Sequence, residues 1–427
     1  RLLQKENPKI KGIKKGEKIL KTNNFFEEIP NIISNLDNSY IYLQGPPGTG
    51  KTTQAANAIV ELIKKNKKVA ITANSHKVIH NLIEKVEITA TEKKVNFKGL
   101  KAGRTNDVDT VYNGKFVVTS SRDTDFIYGV KDKTTLLFAG TKYHLSNGYY
   151  DSKIDYLFID EAGQISVADL IVLGQIAKNI VLIGDQNQLG QPTKGSHPGL
   201  SGKSILEFLL EGQDTISEDK GIFLNRTYRL HPKINEFTSS SFYENRLITD
   251  EQTKNRKILF KDKGFFSESG IYYLDMNHED NIQTSQEECD EIKKIVDGFI
   301  GQDYFDGKKN RKITIKDILI ISPYNAQVNL IGFNLKNKEA RVGTIDKFQG
   351  QEAPITIISM TSSDPENLPR NKEFFFSRNR LNVAISRAQC ISIILFNSNL
   401  LKFAPKTVDH VKLINNFYKI KKKYKKN

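Results

Sequence analysis

The chain has 427 residues, which is enough for two or three domains that each bury a core of their own. Hydrophobic residues make up 38% and charged residues 26%, as is ordinary for a globular protein, and no apolar run approaches the roughly 18 residues of a membrane span. The net charge of +15 suits a polyanionic partner, although a lysine-rich surface that contacts only solvent explains the charge equally well.

The cysteine and histidine content excludes several kinds of site. Cys289 and Cys390 are far apart and show no pairing pattern, which argues against a disulfide framework and against a zinc or iron–sulfur site built from cysteines. The seven histidines show no metal-ligand spacing. The two cysteines without a pairing pattern predict a reducing compartment. The sequence also shows no signal peptide, so we expect the cytoplasm and no membrane association. The first residue is Arg1 rather than Met, so we expect a fragment of a longer protein or a processed piece.

In the first half, short apolar runs alternate with helical patterns. The runs do not alternate with polar residues, which is typical of strands buried on both faces in a parallel sheet. Between the first two runs, Ala56, Ile59 and Ile63 share one face of a predicted helix at 53–65, which makes a βαβ unit. We predict strands at 40–44, 69–73, 116–119, 135–139, 156–160 and 180–184.

The second half repeats this style. A helix is predicted at 284–300, with Ser285 and Glu288 as a capping box at its start. Its inward face carries Cys289, Ile292, Ile295, Val296 and Phe299. Strands are predicted at 271–274, 318–322, 341–344, 355–360 and 391–396.

The repetition predicts two α/β domains, 1–212 and 213–427. They are joined near 210–221, which is rich in Gly and acidic residues and lacks clear periodicity. Polar residues with several lysines at about 84–115 predict a short basic insertion in the first domain. The lysines at 419–426 predict a basic C-terminal tail that is solvated and frayed rather than a dedicated binding arm.

A phosphate-binding loop is the strongest functional signal. It follows the first predicted strand and precedes the first predicted helix, which is the context that such a loop requires. Its backbone N–H groups can surround phosphates, and the helix N-terminus adds positive potential. Lys51 can reach the outer phosphates, and the Thr52 hydroxyl can bind Mg²⁺. The loop consists of Gly45, Pro46, Pro47, Gly48, Thr49, Gly50, Lys51 and Thr52.

Two further strand ends carry polar groups. The strand at 156–160 ends in Asp160, which is followed by Glu161. Downstream of a phosphate loop, we expect Asp160 to hold Mg²⁺ and Glu161 to position and deprotonate the attacking water. After the strand at 180–184, Gln188 can sense the terminal phosphate at the same edge of the sheet, or it can belong to a plain polar turn.

Arginines in the second half can supply the positive charge that phosphoryl transfer needs. Arg226 and Arg229 lie in the segment 225–232, and Arg378 and Arg387 lie in the segment 377–388. We expect Arg229 and Arg387 to act at the triphosphate, whereas Arg226 and Arg378 can be surface residues.

Together, these segments resemble the superfamily 1 helicases, specifically the branch that contains the eukaryotic nonsense-mediated-decay helicase. The resemblance covers almost the whole chain, and the segments occur in the family's order. It implies two tandem RecA-like P-loop NTPase domains with parallel sheets and small insertions, and ATP and Mg²⁺ as cofactors. The matching segments are similar to motif I (45–53), Ia (72–77), Ic (139–141), II (160–162), III (184–189), the tyrosine–arginine segment (227–232), IV (322–327), V (342–352) and VI (381–388).

The resemblance also implies roles for individual residues. Thr53 completes motif I, Tyr228 stacks on the nucleobase, and Glu352 binds the ribose. Arg229 and Arg387 contact the γ-phosphate. A translocating motor contacts the strand mostly through its sugar–phosphate backbone. Such contacts are implied for Asn74, Ser75, His76, Thr141, Tyr324, Asn325 and Thr344.

Within this branch, the surroundings of 75–77 and 197–199 are most similar to a prokaryotic group in which the helicase follows a RecB-like nuclease region on one polypeptide. The branch implies movement 5′→3′, and the prokaryotic group implies single-stranded DNA as the substrate and a nuclease domain N-terminal to the motor, which we expect to be monomeric. An RNA helicase and an ATP-gated nucleic-acid-binding remodeller with little unwinding are alternatives, as is a signalling NTPase without nucleic acid.

Two departures from the family bear on function. No Asn-x-x-Gln element precedes motif I at the usual place, so the resemblance does not imply selectivity for adenine. The insertion after motif Ia is short, so we expect weaker strand separation but little change in ATP hydrolysis.

Overall fold

The structure is a computed structural model that describes residues 1–22, 24–190, 197–261, 266–402 and 407–424. The chain divides into two compact units. Unit 1 comprises Arg1–Gln186 and Gly190–Asn225, and unit 2 comprises Asn187–Leu189 and Arg226–Asn427. Within the described residues, no helix combines the length and the apolar character that crossing a membrane requires.

Unit 1 is an α/β structure. Its strands are β1 (Tyr40–Gln44), β2 (Val69–Thr72), β3 (Lys98–Ala102), β4 (Val117–Ser120), β5 (Thr135–Ala139), β6 (Ile154–Ile159), β7 (Ala177–Gly184) and β8 (Gly221–Phe223). They form one parallel sheet in the order β4-β3-β5-β2-β6-β7-β1-β8. Its helices are α1 (Phe25–Ser34), α2 (Lys51–Lys64), α3 (His76–Glu92), α4 (Asp123–Gly129), α5 (Lys142–Leu145), α6 (Val167–Leu173) and α7 (Ile205–Leu210).

The core of unit 1 follows the predicted pattern. β1, β2 and β5 are buried along their whole length, as expected for strands without polar alternation. The predicted strands at 40–44 and 135–139 are confirmed with their bounds, and the other four differ by a few residues at their ends. α2 turns Ala56, Ile59 and Ile63 into the core, as predicted, and packs against α1 and α3.

The segment 84–115 differs from the predicted insertion. Residues up to Glu92 continue α3, and Lys98–Ala102 form β3 inside the sheet. Lys101 is fully buried, and its ammonium group donates to the carbonyl of Thr110. Burial lowers the pKa of Lys101 to about 8. The sequence did not predict β3, because a buried lysine with a backbone partner cannot be distinguished from a solvated lysine in the sequence.

Glu87 fixes the chain that leads from β3 to β4. This buried carboxylate accepts hydrogen bonds from the backbone N–H groups of Lys115 (3.2 Å), Phe116 (2.7 Å) and Val117 (2.9 Å). It also accepts from the Tyr112 hydroxyl at 3.0 Å. One side chain of α3 therefore satisfies the backbone donors at the start of the edge strand β4.

Unit 1 ends later than the predicted domain boundary at 212/213. The segment 210–221, predicted to be a linker, leads into β8, which pairs with β1. The buried Gln44 side chain donates to the carbonyl of Asp214 (2.9 Å) and accepts from the N–H of Ile216 (2.7 Å), which attaches this segment to β1. The division between the units lies between Asn225 and Arg226. The sequence did not predict this boundary, because β8 is too short to show a strand pattern.

Unit 2 is a second α/β structure. Its strands are β9 (Arg226–Thr227), β10 (Ile248–Thr249), β11 (Lys257–Leu259), β12 (Gly270–Asp275), β13 (Asp303–Phe305), β14 (Asn310–Lys312), β15 (Ile318–Ile321), β16 (Arg341–Gly343), β17 (Ala353–Ser359) and β18 (Ala388–Phe396). The main sheet is parallel, in the order β12-β18-β17-β15-β16, and β11-β13-β14 form a separate antiparallel sheet. Its helices are α8 (Pro232–Phe242), α9 (Glu251–Lys254), α10 (Gln286–Phe299), α11 (Asn325–Leu335), α12 (Lys372–Phe375), α13 (Arg378–Ser386) and α14 (Val408–Tyr424).

The helix α10 confirms its predicted inward face but not the whole predicted capping box. The Ser285 hydroxyl accepts from the N–H of Glu288 at 3.1 Å, as expected for an N-cap. The Glu288 carboxylate does not return to the cap. It is fully buried and accepts from the Ser359 hydroxyl (2.5 Å) and from the N–H of Thr361 (3.0 Å). The sequence could not indicate this, because the partners are more than 70 residues away.

The Glu87 contacts predict a local stability effect. Glu87→Ala leaves three backbone donors without their acceptor, so we expect the free energy of unfolding to fall by about 2–4 kcal/mol. Urea unfolding of the whole chain measures this change. Glu84→Ala, an exposed site on the same helix, is the matched control and should change stability by less than about 0.5 kcal/mol. Equal effects of the two substitutions would contradict the role given to Glu87.

Candidate active site

The carboxyl ends of five adjacent strands line one edge of the unit 1 sheet. Because β5, β2, β6, β7 and β1 are parallel neighbours, the residues that follow them meet at this edge. Ligands of open α/β sheets bind at the carboxyl edge. The residues in question are Thr141 after β5, Asn74 after β2, Asp160 after β6, Asp185 after β7 and Gly45 after β1.

The phosphate loop connects β1 to α2. Gly48 and Gly50 have φ values of 75° and 78°, a left-handed conformation that glycine adopts without strain, and Gly50 is the N-cap of α2. A side chain at Gly45 would overlap with the Lys51 side chain, whose ammonium group donates to the Gly45 carbonyl at 2.5 Å. The Gly45 N–H donates to the carbonyl of Gly184 at 2.9 Å, which ties the loop to the end of β7. The loop therefore leaves N–H groups and one ammonium group at the start of a helix, where phosphates bind.

The Asp160–Glu161 pair concentrates negative charge at the same edge. Asp160 is 5% exposed, and burial raises its pKa to about 7, with a further rise from Glu161 and an opposing effect from Lys51. The Glu161 N–H donates to the Asp160 carboxylate at 2.9 Å. Glu161 has φ 51°, which is uncommon outside glycine and concentrates at functional sites.

The donor set fits Mg²⁺. A buried carboxylate with a raised pKa gains most from a nearby cation, which favours its ionised form. In the part of the chain that the structure describes, no three His, Cys, Asp or Glu side chains form a complete metal site. One carboxylate and one hydroxyl, from Asp160 and Thr52, match Mg²⁺, which is usually held by one or two carboxylates together with water and substrate phosphates.

The end of β7 extends this edge. The Tyr42 hydroxyl donates to the Gln186 side-chain oxygen at 2.9 Å, and burial together with Asp185 raises the pKa of Tyr42 well above its usual value. The next residues, Asn187–Leu189, belong to unit 2. There the carbonyl of Gln188 accepts from the Asn379 side chain at 2.7 Å. The candidate phosphate sensor Gln188 thus contacts α13.

The predicted strand-contacting residues of unit 1 lie at the ends of β2 and β5. Asn74 donates to Gln164 at 3.2 Å, and the Ser75 hydroxyl accepts from the N–H of Val78 at 3.3 Å, which caps α3. His76 is the first residue of α3, and burial followed by Lys101 lowers its pKa. Thr141 is the N-cap residue of α5. These residues surround the starts of two neighbouring helices.

In unit 2, the predicted nucleotide residues converge. Arg229 donates to the Glu352 carboxylate and, at 3.4 Å, to the carbonyl of Ser386. Arg387 is buried at the C-terminus of α13 and donates to the carbonyl of Gln351 at 3.3 Å. Burial alone would raise the pKa of Glu352, but Arg229 keeps it below its usual range. The two arginines therefore contact adjacent residues just before β17: Arg229 contacts Glu352, and Arg387 contacts Gln351.

The sequence did not indicate Arg256 or Gln389, which support this cluster. Arg256 donates to the carbonyl of Arg229 and, at 3.1 Å, to the carbonyl of Tyr228, whose ring is half exposed. Gln389 donates to Glu352 at 2.7 Å. Arg256 lies in a mixed polar stretch without periodicity, so no pattern distinguished it from a surface arginine.

The remaining predicted contacts lie at the carboxyl edge of the unit 2 sheet. Asn325 is exposed at the start of α11, and Thr344 is half-buried after β16. The Tyr324 side chain is buried, and its ring faces Phe375 at 6.3 Å. It is placed to support this edge rather than to offer a free ring.

Comparison with known proteins agrees with this architecture. Residues 31–199 and 202–399 each match a family model described as an AAA domain. "DNA replication ATP-dependent helicase/nuclease dna2" of Schizosaccharomyces pombe is 26% identical over 87% of this chain and 27% of the relative. "DNA polymerase alpha-associated DNA helicase A" of the same yeast is 24% identical over 85% of this chain and 61% of the relative.

"Regulator of nonsense transcripts 1 homolog" of Neurospora crassa is 27% identical over 86% of this chain and 36% of the relative. The chain thus spans less than two thirds of the length of each of these relatives. Family models match both halves of the chain, and the relatives match most of its length. The chain therefore belongs to the superfamily 1 helicases, a family of ATP-hydrolysing enzymes, and to the branch that contains the nonsense-mediated-decay helicases.

Proposed function

We propose that the chain hydrolyses ATP and uses the energy to move 5′→3′ along single-stranded DNA. One observation carries this proposal: the phosphate loop and the Asp160–Glu161 pair share a sheet edge with the segments that begin at Asn74 and Thr141. A nucleotide site and a strand-contacting site on one rigid sheet can influence each other, because a change at one strand end is transmitted to its hydrogen-bonded neighbours.

The residues of unit 1 have distinct roles in hydrolysis. Lys51 exchanges the Gly45 carbonyl for the outer phosphates, and Thr52 and Asp160 hold Mg²⁺. When bound, Mg²⁺ offsets the negative charge of the phosphate oxygens. Glu161 orients the attacking water and takes its proton.

The residues of unit 2 complete the chemistry. Arg229 and Arg387 stabilise the charge on the γ-phosphate, and Gln188 senses that phosphate. Tyr228 stacks on the nucleobase and Glu352 binds the ribose. Because Glu352 is paired with Arg229, binding of a ribose and a triphosphate to these two side chains requires the pair to separate.

The similarity to the Schizosaccharomyces pombe protein whose name joins DNA replication with helicase and nuclease functions favours DNA over RNA. We therefore propose a monomeric motor that works beside a nuclease domain N-terminal to it on one polypeptide. The relative named for nonsense transcripts supports RNA instead. The contacts expected here are to the sugar–phosphate backbone, which both polymers offer.

A second candidate is an ATP-gated remodeller that separates few base pairs. One observation favours it: the residues after Asn74 form α3, β3 and β4, so this part of the chain extends the sheet rather than building a separate subdomain that grips a strand.

The water-activating role of Glu161 predicts a separation of binding from hydrolysis. Glu161→Gln should lower ATP turnover by about 10²–10⁴-fold, the usual worth of a general base, while ATP still binds. Lys51→Ala should weaken binding itself, since it removes the ammonium group that contacts the phosphates. Steady-state turnover and equilibrium binding of a fluorescent ATP analogue measure both effects. Near-normal ATP turnover by Glu161→Gln would show that Glu161 does not activate the attacking water.

The arginines of unit 2 predict a rate effect that a surface arginine does not share. Arg229→Ala and Arg387→Ala should each lower the turnover number by about 10³-fold or more, because the γ-phosphate charge is no longer stabilised. Arg226→Ala is the matched control, since Arg226 is paired with Asp250 at the surface. If all three variants turn over ATP at the same rate, the arginine assignment is wrong.

The substrate is tested by ATP turnover in the presence of single-stranded DNA and RNA of one sequence. We expect the larger stimulation with DNA, and displacement of a strand only from duplexes with a 5′ single-stranded tail. Larger stimulation of ATP turnover by RNA would indicate that RNA, not DNA, is the substrate. Stimulation of turnover without strand displacement would favour the remodeller. If no polynucleotide stimulates turnover, the proposed function fails.

A further inference from the structure

An exposed aromatic ring lies at the carboxyl edge of the unit 1 sheet. Tyr143 is 78% exposed, and it lies two residues after Thr141 in the short helix α5. Large aromatic side chains bury 150–250 Å² when they pack, so a ring that stays largely exposed next to this edge is a candidate contact surface. None of the hydrolytic or backbone-contacting roles above involves Tyr143.

The backbone that carries Tyr143 is fixed on several sides. At Gly140, a Cβ atom would lie 3.0 Å from the His144 ring, so the chain passes close beneath α5. His144 packs edge-on against Phe126, with ring centroids 4.4 Å apart, and its Nε2 is 2.9 Å from the Tyr150 hydroxyl. The ring of Tyr143 is thus exposed on a rigid base, which lowers the entropy that a contact would cost.

The neighbouring charge is already neutralised. The Lys142 ammonium group lies 5.4 Å from the centroid of the Tyr143 ring and is paired with Asp169 at 2.7 Å. The Asp169 carboxylate also accepts from the hydroxyl of Ser166, the N-cap residue of α6, at 2.8 Å. The pair has little net attraction for a phosphate. Tyr143 therefore offers an exposed ring beside a lysine whose charge is already paired with a carboxylate.

The position of α5 along the edge sets what this face can meet. The Gly140 N–H donates to the carbonyl of Ile71 at 3.1 Å, and Ala139 pairs with Ile71 in the register of β5 and β2. α5 thus begins beside the end of β2, which leads into Asn74 and His76. A strand that contacts these residues therefore lies beside the start of the short helix that carries Tyr143.

We propose that Tyr143 stacks on an unpaired base of the bound strand and gives the chain its preference for single-stranded over duplex nucleic acid. This inference rests on the proposed function and names a further binding residue of the same site. Every base has an aromatic face, so stacking tolerates any sequence, as a translocating motor needs. In a duplex the bases stack on each other and their faces are not available.

Equilibrium binding of labelled oligonucleotides to the full chain without ATP tests this inference. Tyr143→Ala should weaken binding of a single-stranded DNA oligonucleotide by about five- to hundredfold, the usual range for loss of one stacked base. Tyr143→Phe retains the ring and should stay within about twofold of the wild type. Tyr128→Ala is the matched control, because Tyr128 is 71% exposed but lies near the C-terminus of α4. Thermal unfolding checks that each variant is folded.

Three outcomes overturn the inference while leaving the proposed function intact: single-strand binding by Tyr143→Ala that equals the wild type, equal losses for Ala and Phe, and equal losses for single strand and duplex. The first would leave the ring free for another kind of partner, such as a protein. If the wild-type chain itself binds no polynucleotide, the proposed function fails, and the two failures are therefore distinguishable.

Discussion

The parallel register of the unit 1 sheet is the constraint on which the rest depends. β1, β7, β6, β2 and β5 are neighbours and run in one direction, so their carboxyl ends deliver side chains to one edge. In an antiparallel sheet, alternate strands would end on opposite edges, and the phosphate loop after β1 could not share an edge with Asn74 after β2 or with Asp185 after β7. The glycines of the loop and the left-handed Glu161 matter because this register brings them together.

The electrostatics of the two candidate nucleotide clusters, one in each unit, differ in kind. At the unit 1 edge, Asp160 lies next to a second carboxylate, and burial, followed by the charge of Glu161, raises the pKa of Asp160. In unit 2, the Arg229 guanidinium is compensated by Glu352, whose pKa is held low. One cluster favours a cation and the other already holds an internal pair. The proposed binding of a triphosphate with Mg²⁺ matches the first cluster, and the proposed role of Arg229 and Glu352 requires their pair to separate.

Most of the fold could be predicted from the sequence, because the central strands are continuous apolar runs of Val, Ile, Leu, Phe and Tyr. The phosphate loop and the acidic pair were also evident, since short motifs directly follow such strands. β3 was not evident because Lys101 is buried against a backbone carbonyl, a contact without any sequence pattern. The roles of Glu288 and Arg256 depend on partners far away in the chain, which periodicity cannot reveal. The residue-level roles at the nucleotide and strand sites stay predictions.

The central claim is that nucleotide and single strand bind to coupled sites. The most direct test measures the affinity of the whole chain for a single-stranded DNA oligonucleotide with and without a non-hydrolysable ATP analogue and Mg²⁺. Coupled sites predict a difference of at least about fivefold, and an equal change in nucleotide affinity when the strand is bound, because linkage is reciprocal. Identical strand affinities in both conditions, with the analogue bound, would contradict the account.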